Sequence, residues 1–405
     1  MVNLEQKNYK NCNKYKLLQF SIMANLLKVY NKLSTTQNIL LNSVRSFCVD
    51  YLKPRVIEDY KNETVDRNIF LEMGNMGIFG PTINDYGCLG ESYKTYGLIA
   101  KEIETIDSGY RSMFSVQSSL VMNPIYKYGN DIVKDKYLPK LASGEYIGCF
   151  GLTEPDSGSD ASTMTSKAIK DGNNYILNGG KTWISNSPMA DVFVVWAKNK
   201  ENKINGFVLD RGMNGTITTP KIEGKLSLRA SPTGMINLDD VVVPKENKLN
   251  IEGMKGPFSC LNNARLGIAF GVLGSAEFCI EKALEYSLDR QLFGMKLANK
   301  QITQGKLADM VIDWNMAMLG SLQVADKVDE KNFDPVMISV VKKNSCEKAL
   351  QIARDCRDIL GGNGISDEYE IMRHLCNLES VYTYEGTNDI HRLIIGNKLT
   401  GLKAF

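Results

Sequence analysis

This sequence has very few histidines and no closely spaced pair of cysteines. The 405 residues include only two histidines, His374 and His391. A catalytic site of the Ser-His-Asp or Cys-His type could use only these two, and a metal site built from several histidines is nearly excluded. The nine cysteines contain no Cys-x-x-Cys pair, so they indicate neither a disulfide framework nor a zinc site and favour a reducing compartment. Proton chemistry must therefore fall mainly to carboxylates.

A strong net charge and long apolar runs are also missing. The formal net charge is +2, which gives no overall field that would attract nucleic acid. No apolar run is long enough to cross a bilayer, so no integral membrane segment is expected. The length predicts a large core divided into two or three subdomains.

The first 33 residues differ from the rest in composition. Glu5 is their only acid, lysine and asparagine are frequent, and no arginine occurs before Arg45. An acid-poor, basic start resembles an organelle transit peptide and predicts a location in the mitochondrial matrix. A lysine-rich tail on a cytoplasmic protein stays open as the alternative, because transit peptides favour arginine over lysine.

The hydrophobic pattern divides the remaining chain into three regions. Residues 34–148 show helical spacing, residues 149–258 show short strands with the hairpin signal Asp171-Gly172, and residues 259–405 return to helices. The long helices expected in the last region cover 266–289, 302–324, 335–360 and 367–383. The order predicts an α+β fold with an N-terminal helical domain, a central β domain and a C-terminal four-helix bundle.

The segment Tyr384-Glu385-Gly386 stands just before an expected helix start. An aromatic neighbour can desolvate a carboxylate and raise its pKa, as a general base working near neutral pH requires. The glycine would let a ligand or the backbone come close. Glu385 is therefore the leading candidate for a catalytic base, although the six-residue string 384–389 alone is a weak motif.

Four other stretches could bind a large polar ligand, and each also has an ordinary structural explanation. The Ser- and Gly-rich loop 149–160 could offer N–H donors to a ligand, or it could be an ordinary loop that leads the chain into the β domain. Trp183 could lie flat on a ring system or belong to the core. Arg290 could hold a phosphate, or it could mark a helix end with Gly294 as the stop. The glycine cluster at residues 361–364 could let a nucleotide come close to the backbone, or it could cap a helix.

Taken together, these strings resemble the acyl-CoA dehydrogenase family. The matching strings, in the family's order over about residues 34–405, are Leu-Thr-Glu-Pro-Asp-Ser-Gly-Ser-Asp, Trp-Ile-Ser-Asn, Arg-Gln-Leu-Phe-Gly, Ile-Leu-Gly-Gly-Asn-Gly and Tyr-Glu-Gly-Thr. The resemblance implies removal of two hydrogens from an acyl-CoA thioester, a reaction that needs a cofactor because no side chain can accept a hydride. The cofactor that the resemblance implies is FAD. It implies Glu385 as the α-proton base, with its backbone N–H on the thioester oxygen.

The resemblance also implies the binding residues. Those implied for FAD, partly from a neighbouring subunit, are Phe150, Leu152, Thr153, Ser159, Trp183, Ile184, Ser185, Arg290, Phe293, Gln301, Asp358, Ile359, Leu360, Gly361, Gly362, Thr387 and Phe405. Those implied for the acyl-CoA substrate are Arg111, Ser112, Ser115, Ser159, Asn262, Arg265 and Gly386. A homotetramer and an electron-transfer flavoprotein as electron acceptor are further expectations, and no metal is expected.

Segments of both helical regions resemble the glutaryl-CoA dehydrogenase branch of the family. They are 107–112, 115–122, 261–265, 364–369 and 402–405. By this resemblance Arg111 would hold the second carboxylate of a glutaryl group, with Tyr384 beside the base, as in the members that decarboxylate. The alternative for Arg111 is an intrahelical pair with Asp107. Met113-Phe114, between Arg111 and Ser115, is bulkier than the pair of small residues expected there, and Phe114 could narrow the acyl pocket or point into the core.

Three functions follow in order of preference. The first is oxidative decarboxylation of glutaryl-CoA to crotonyl-CoA and CO₂. The second is dehydrogenation of another short or branched acyl-CoA, or of glutaryl-CoA without decarboxylation. The third, from another class, is a non-catalytic assembly factor on the same fold.

Overall fold

The structure is a computed structural model that describes residues 25–31 and 33–404. Residues 1–24 and 32 of the expected transit peptide therefore lie outside the described residues, as does Phe405. Within them the chain runs from helices to a β-sheet and back to helices, which confirms the predicted fold class.

The N-terminal region consists of short helices joined end to end. They are α1 (Thr35–Phe47), α2 (Val56–Asn62), α3 (Asn68–Asn75), α4 (Tyr93–Glu104), α5 (Ser108–Ser115), α6 (Asn123–Tyr128) and α7 (Asp131–Ala142). Ser34 caps α1 through a reciprocal pair of hydrogen bonds with Gln37, which satisfies two N–H groups of the first turn. A π-helical segment, Val116–Met122, continues α5 directly.

The central region forms one eight-stranded sheet. Its strands are β1 (Gly148–Gly151), β2 (Lys167–Asp171), β3 (Asn174–Ser185), β4 (Val192–Lys198), β5 (Ile204–Asp210), β6 (Thr216–Thr218), β7 (Thr233–Pro244) and β8 (Lys248–Glu252). The order is β6-β7-β3-β2-β4-β5-β8, and β1 pairs with β4 in parallel. Val194 and Phe193 belong to separate apolar cores on opposite faces of β4, because side chains alternate along a strand. The sheet is thus covered on both sides here.

The C-terminal region contains the longest helices. They are α8 (Lys255–Asp289), α9 (Gln301–Asp329), α10 (Pro335–Leu360), α11 (Ile371–Thr383) and α12 (Asn388–Thr400). A two-stranded hairpin, β9 (Gln291–Leu292) with β10 (Met295–Lys296), connects α8 to α9. The predicted helices are confirmed in number and order, and α12 follows them as a fifth.

Two sequence expectations about helix ends in this region are wrong. Gly294 does not stop α8, which ends at Asp289; Gly294 has a φ of +76° and lies in the turn of the hairpin. The helix expected from 367 starts at Ile371, and residues 367–369 form a single 3₁₀ turn. Short turns next to helices carry the same polar residues as helix starts, so sequence patterns do not separate them well.

Candidate active site

Glu385 lies in the tight turn between α11 and α12. Its φ is +53°, in the left-handed region that non-glycine residues seldom adopt, and Gly386 follows with a φ of +91°. A Cβ at residue 386 would stand 3.1 Å from Nε2 of His391, so the turn requires glycine there for space as well as conformation. Backbone strain of this kind costs about 1–3 kcal/mol and persists only where surrounding contacts enforce it.

The carboxylate of Glu385 is set in an environment that disfavours its charge. The side chain keeps partial solvent access, but its Oε2 is buried without a hydrogen-bond partner among the described residues. Burial raises the pKa of Glu385 above the usual glutamate value, and nearby cations, led by Arg265, only partly oppose this. A carboxylate with a raised pKa suits proton abstraction near neutral pH.

Arg265 reaches this turn from α8. Its Nε donates a hydrogen bond of 2.8 Å to the carbonyl oxygen of Glu385. That bond turns the carbonyl toward α8, and no backbone hydrogen bond uses the N–H of Glu385 within the described chain. The N–H therefore remains free to donate to a ligand.

Arg111 is buried beside the same turn, with only 1% of its surface exposed. Its Nε donates 2.5 Å to Oε2 of Glu104, and its Nη2 donates to the hydroxyl of Tyr384. Burial alone would lower the pKa of Arg111, but Glu104 and Tyr384 raise it overall, so the guanidinium stays charged. Among the described residues Nη1 has no hydrogen-bond partner, and it is the nitrogen that a ligand anion could use.

The alternative pairing of Arg111 with Asp107 is wrong. Asp107 instead accepts a hydrogen bond of 2.5 Å from Nη1 of Arg373 and one of 2.8 Å from Asn377, both on α11.

The side chain of Phe114 does not line the acyl pocket. It is fully buried and stacks on Phe79 at 6.4 Å between ring centres. Phe114 therefore belongs to the core.

Two serines from α5 complete this group. Ser112 Oγ lies 3.4 Å from the hydroxyl of Tyr384, and Ser115 Oγ is buried without a hydrogen-bond partner among the described residues. Burial raises the pKa of Tyr384, which keeps its hydroxyl protonated. The structure thus brings Glu385, Tyr384 and Arg111 together.

A second group of predicted residues lies on the β domain. Trp183 is 62% exposed, so it is not a core residue, and its φ of +59° falls at an irregularity in the pairing of β3 with β7. Thr182 next to it donates from its N–H to the carbonyl of Thr153 at 2.9 Å. Phe150, Leu152 and Ile184 are buried. An exposed indole beside this loop is the kind of surface that a planar ring could cover.

A buried ion pair between Lys181 and Glu154 holds this loop against β3, and the sequence patterns assigned the pair no role. Lys181 Nζ lies 2.8 Å from Oε1 of Glu154 and 3.2 Å from the carbonyl oxygen of Leu152. Burial would raise the pKa of Glu154, but Lys181 and the N–H groups of residues 165 and 166 lower it to about 2. The only signal in the sequence was a lysine two residues before Trp183.

A third group lies on exposed surface at the α8 and α10 ends. Arg290, Phe293, Gln301 and Gly361 are exposed, while Leu360 is buried. Asp358 forms an ion pair with Lys306 of α9. The remaining predicted residues are dispersed: Ser159 is exposed in its loop, Ser185 and Ile359 are partly buried, Asn262 contacts Arg265 at 3.4 Å, and Thr387 caps α12.

Sequence profiles identify the family. Those for the N-terminal, middle and C-terminal domains of acyl-CoA dehydrogenases match residues 34–145, 149–241 and 252–400. The chain belongs to the acyl-CoA dehydrogenase family, whose members bind FAD, and this confirms the predicted cofactor at the level of the family.

Individual relatives carry two different substrate names. Mitochondrial isovaleryl-CoA dehydrogenase from Pongo abelii is 35% identical, over 90% of this chain and 89% of its own. A glutaryl-CoA dehydrogenase structure from Mycobacterium smegmatis is 43% identical, with a TM-score of 0.92, over 94% of this chain and 98% of its own. A structure of the M. smegmatis enzyme in complex with FADH₂ has a TM-score of 0.91, with the same identity and coverage.

Two further properties concern only the described part of the chain. None of its helices combines the length and the apolar character needed to span a membrane. Nor are any three of its His, Cys, Asp or Glu side chains grouped so as to hold a metal ion.

Proposed function

We propose that this protein catalyses the FAD-dependent oxidative decarboxylation of glutaryl-CoA to crotonyl-CoA and CO₂. The observation that carries the proposal is a buried, charged Arg111 in contact with Tyr384, the neighbour of the candidate base Glu385. A buried guanidinium is costly unless it is paired, and a free Nη1 offers a partner for one more anion. Monocarboxylic acyl groups give it no such partner.

The described residues fit a flavin. The exposed Trp183 and the loop near Thr153 offer a face for its ring, and the exposed groups around Arg290 and Gln301 could meet its phosphates and adenine. When bound, FAD supplies the acceptor for the hydride that leaves Cβ of the substrate. The assigned contacts of these residues, including the predicted contact of Phe405, are part of the proposal.

In the first step Glu385 removes the α-proton of the thioester. The raised pKa of its carboxyl group makes the carboxylate a stronger base than an exposed glutamate. The N–H of Glu385 would donate to the thioester oxygen, where negative charge develops. The residues that would line the acyl-CoA path are Gly386, Ser112, Ser115, Ser159, Asn262 and Arg265.

In the second step the γ-carboxylate leaves as CO₂. After desaturation this carboxylate is conjugated with the thioester through the new double bond, so the electron pair of the breaking C–C bond is delocalised into the thioester as a dienolate. Protonated Glu385 then returns its proton to Cγ, which gives crotonyl-CoA. Arg111 would hold the carboxylate until the bond breaks.

Isovaleryl-CoA is the second candidate substrate, because the 35% identical relative carries that name. A branched apolar acyl group would have to lie against Nη1 of Arg111 without offering it an acceptor. A homotetramer, electron-transfer flavoprotein as acceptor and a mitochondrial matrix location complete the proposal. They are supported by the resemblance and, for location, by the lysine-rich start and the mitochondrial relative.

Turnover of a panel of thioesters tests the substrate. The purified flavoprotein should convert glutaryl-CoA to crotonyl-CoA with release of CO₂, at a kcat/KM at least ~100-fold above that for isovaleryl-CoA or butyryl-CoA, because a fixed cation discriminates charged from apolar groups by several kcal/mol. Faster turnover of isovaleryl-CoA would overturn the assignment, and glutaconyl-CoA as final product would exclude decarboxylation.

The role of Arg111 needs a variant that leaves no buried charge behind. Arg111→Met with Glu104→Gln removes both members of the pair, whereas Arg111→Met alone would strand Glu104. The double variant should lose ~100-fold or more in kcat/KM for glutaryl-CoA and change little with butyryl-CoA. Glu104→Gln alone separates the two changes: it leaves the guanidinium in place without its carboxylate partner, so it should lower stability but keep the preference for glutaryl-CoA.

A further inference from the structure

Lys342 is a buried lysine without a carboxylate partner. It lies in the N-terminal half of α10, its side chain is fully buried, and no salt bridge to it is found in residues 25–31 and 33–404. Burial lowers the pKa of its ammonium group. Because an unpaired buried ammonium is expensive, its surroundings must compensate in another way.

Three backbone carbonyl groups provide that compensation. Lys342 Nζ donates to the carbonyl oxygens of Val381 at 3.3 Å, Tyr384 at 3.2 Å and Gly386 at 2.9 Å. An ammonium group has three N–H donors, so these acceptors use all of them. Val381 belongs to the last turn of α11, where carbonyls lack intrahelical partners and the helix dipole favours a cation.

Two of these carbonyls flank Glu385 directly. Together with the bond from Arg265 to the carbonyl of Glu385, the contacts of Lys342 fix three successive peptide groups, those of residues 384, 385 and 386. The positive φ of Glu385 is thereby enforced from outside the turn. With the carbonyls held on one side, the backbone N–H of Glu385 is left to a ligand.

We propose that Lys342 is a positioning residue for the catalytic base: its ammonium group clamps the Tyr384–Gly386 turn and so sets where the Glu385 carboxylate and N–H stand. The inference rests on the proposed role of Glu385 in the preceding section. Lys342 itself touches neither substrate nor flavin in this account.

The clamp also places a positive charge near the base. Other charged groups facing Glu385 are Arg265 from α8 and Arg111 from α5. Tyr96 from α4 and Cys346 from α10 also face it, and burial raises the pKa of both, so they are neutral. Burial lowers the pKa of His391 from α12 to about 3, so it is neutral as well. Removal of the Lys342 charge therefore raises the pKa of Glu385 further. In a plot of kcat/KM against pH, the acid limb reports the pKa of the base and should move to higher pH.

Two variants separate position from charge. Lys342→Met removes the donors and the charge, whereas Lys342→Gln removes the charge but keeps two N–H donors. We expect the acid limb to move up by about one pH unit in both, the low end of what a nearby opposite charge does. We expect kcat to fall ~100-fold in Lys342→Met, since a displacement near 1 Å has that effect, and less in Lys342→Gln.

A readout that does not need hydride transfer completes the test. A 3-thia acyl-CoA carries sulfur in place of Cβ, so it binds but cannot be desaturated. The rate at which its α-protons exchange with D₂O, followed by mass spectrometry, therefore measures proton abstraction by the base alone. Exchange should slow in parallel with kcat, while KM and flavin content stay near wild type.

Lys101 offers the matched control. It is also fully buried, but it pairs with Glu102 and Glu277 and has no contact with the 384–386 turn. Lys101→Met should lower thermal stability without moving the acid limb.

If the Lys342 variants fold, bind flavin and keep the wild-type acid limb and exchange rate, Lys342 is only a structural residue and the inference is wrong. If wild-type protein neither exchanges α-protons nor turns over any acyl-CoA, the proposed function fails instead.

Discussion

At the scale of single residues, Glu385 combines a strained backbone with a desolvated carboxyl group. Both features come from contacts with other helices: Arg265 from α8 holds the carbonyl of Glu385 itself, and Lys342 from α10 holds the carbonyls on either side of it. Its sequence neighbours suggested a base, but they gave neither the φ of +53° nor the orphaned Oε2. The chemistry of this residue is therefore a product of packing.

Replacement of Glu385 by glutamine should abolish turnover. The amide has the same size but cannot accept the α-proton, so kcat should fall by ~10⁴ or more, the upper range for loss of a general base. Flavin absorbance of the purified variant should be unchanged. Glu379→Gln is the control, because Glu379 is an exposed residue of α11 that pairs with Arg354.

The wild-type pH profile follows from the same residue. Glu385 must be ionised to act, and burial raises its pKa, so activity should decline with falling pH already above the usual glutamate value of about 4.3. A profile of kcat/KM that stays flat down to that value would contradict the desolvated setting.

At the scale of elements, the Lys181–Glu154 pair joins β3 to the loop that follows β1. Periodicity and the Asp171-Gly172 signal correctly predicted the hairpin of β2 with β3. Sequence patterns did not predict the irregularity that exposes Trp183, because register depends on β7, which lies about fifty residues further along the chain. The candidate flavin surface thus depends on a long-range pairing.

Lys181→Met should destabilise the connection between β3 and this loop. The variant leaves the Glu154 carboxylate buried without its cation, which typically costs about 3–5 kcal/mol. We expect a lower midpoint of chemical unfolding and weaker flavin retention, measured by fluorescence of released flavin. Lys170→Met on the exposed side of β2 should change neither, and a Lys181→Met protein as stable as wild type would show that the pair contributes little.

At the scale of the whole molecule, α9 carries an exposed apolar stripe. Ile312, Met316 and Leu319 are exposed at helical spacing, and Met337 and Val340 of α10 are exposed as well. Large apolar surfaces of this kind mark association sites. The proposed homotetramer would cover them.

Charges on this stripe should break the assembly. Ile312→Glu with Met316→Glu is expected to shift the mass in solution, measured by light scattering, from tetramer to dimer or monomer. If FAD spans two subunits, flavin content should fall with it. Ile132→Glu on α7 is the control for an exposed apolar residue elsewhere, and a wild-type monomer that keeps its flavin would contradict the proposal.

The sequence by itself determined the order of helical, β and helical regions, the family and the identity of the candidate base. These depend on periodicity and short motifs, which are local properties of the chain. Only the tertiary structure decided that Arg111 pairs with Glu104 and Tyr384 instead of Asp107, that Phe114 belongs to the core, and that Lys342 clamps the turn of Glu385. Such contacts join residues that are distant in sequence, and packing in three dimensions selects among partners that the local pattern leaves equivalent.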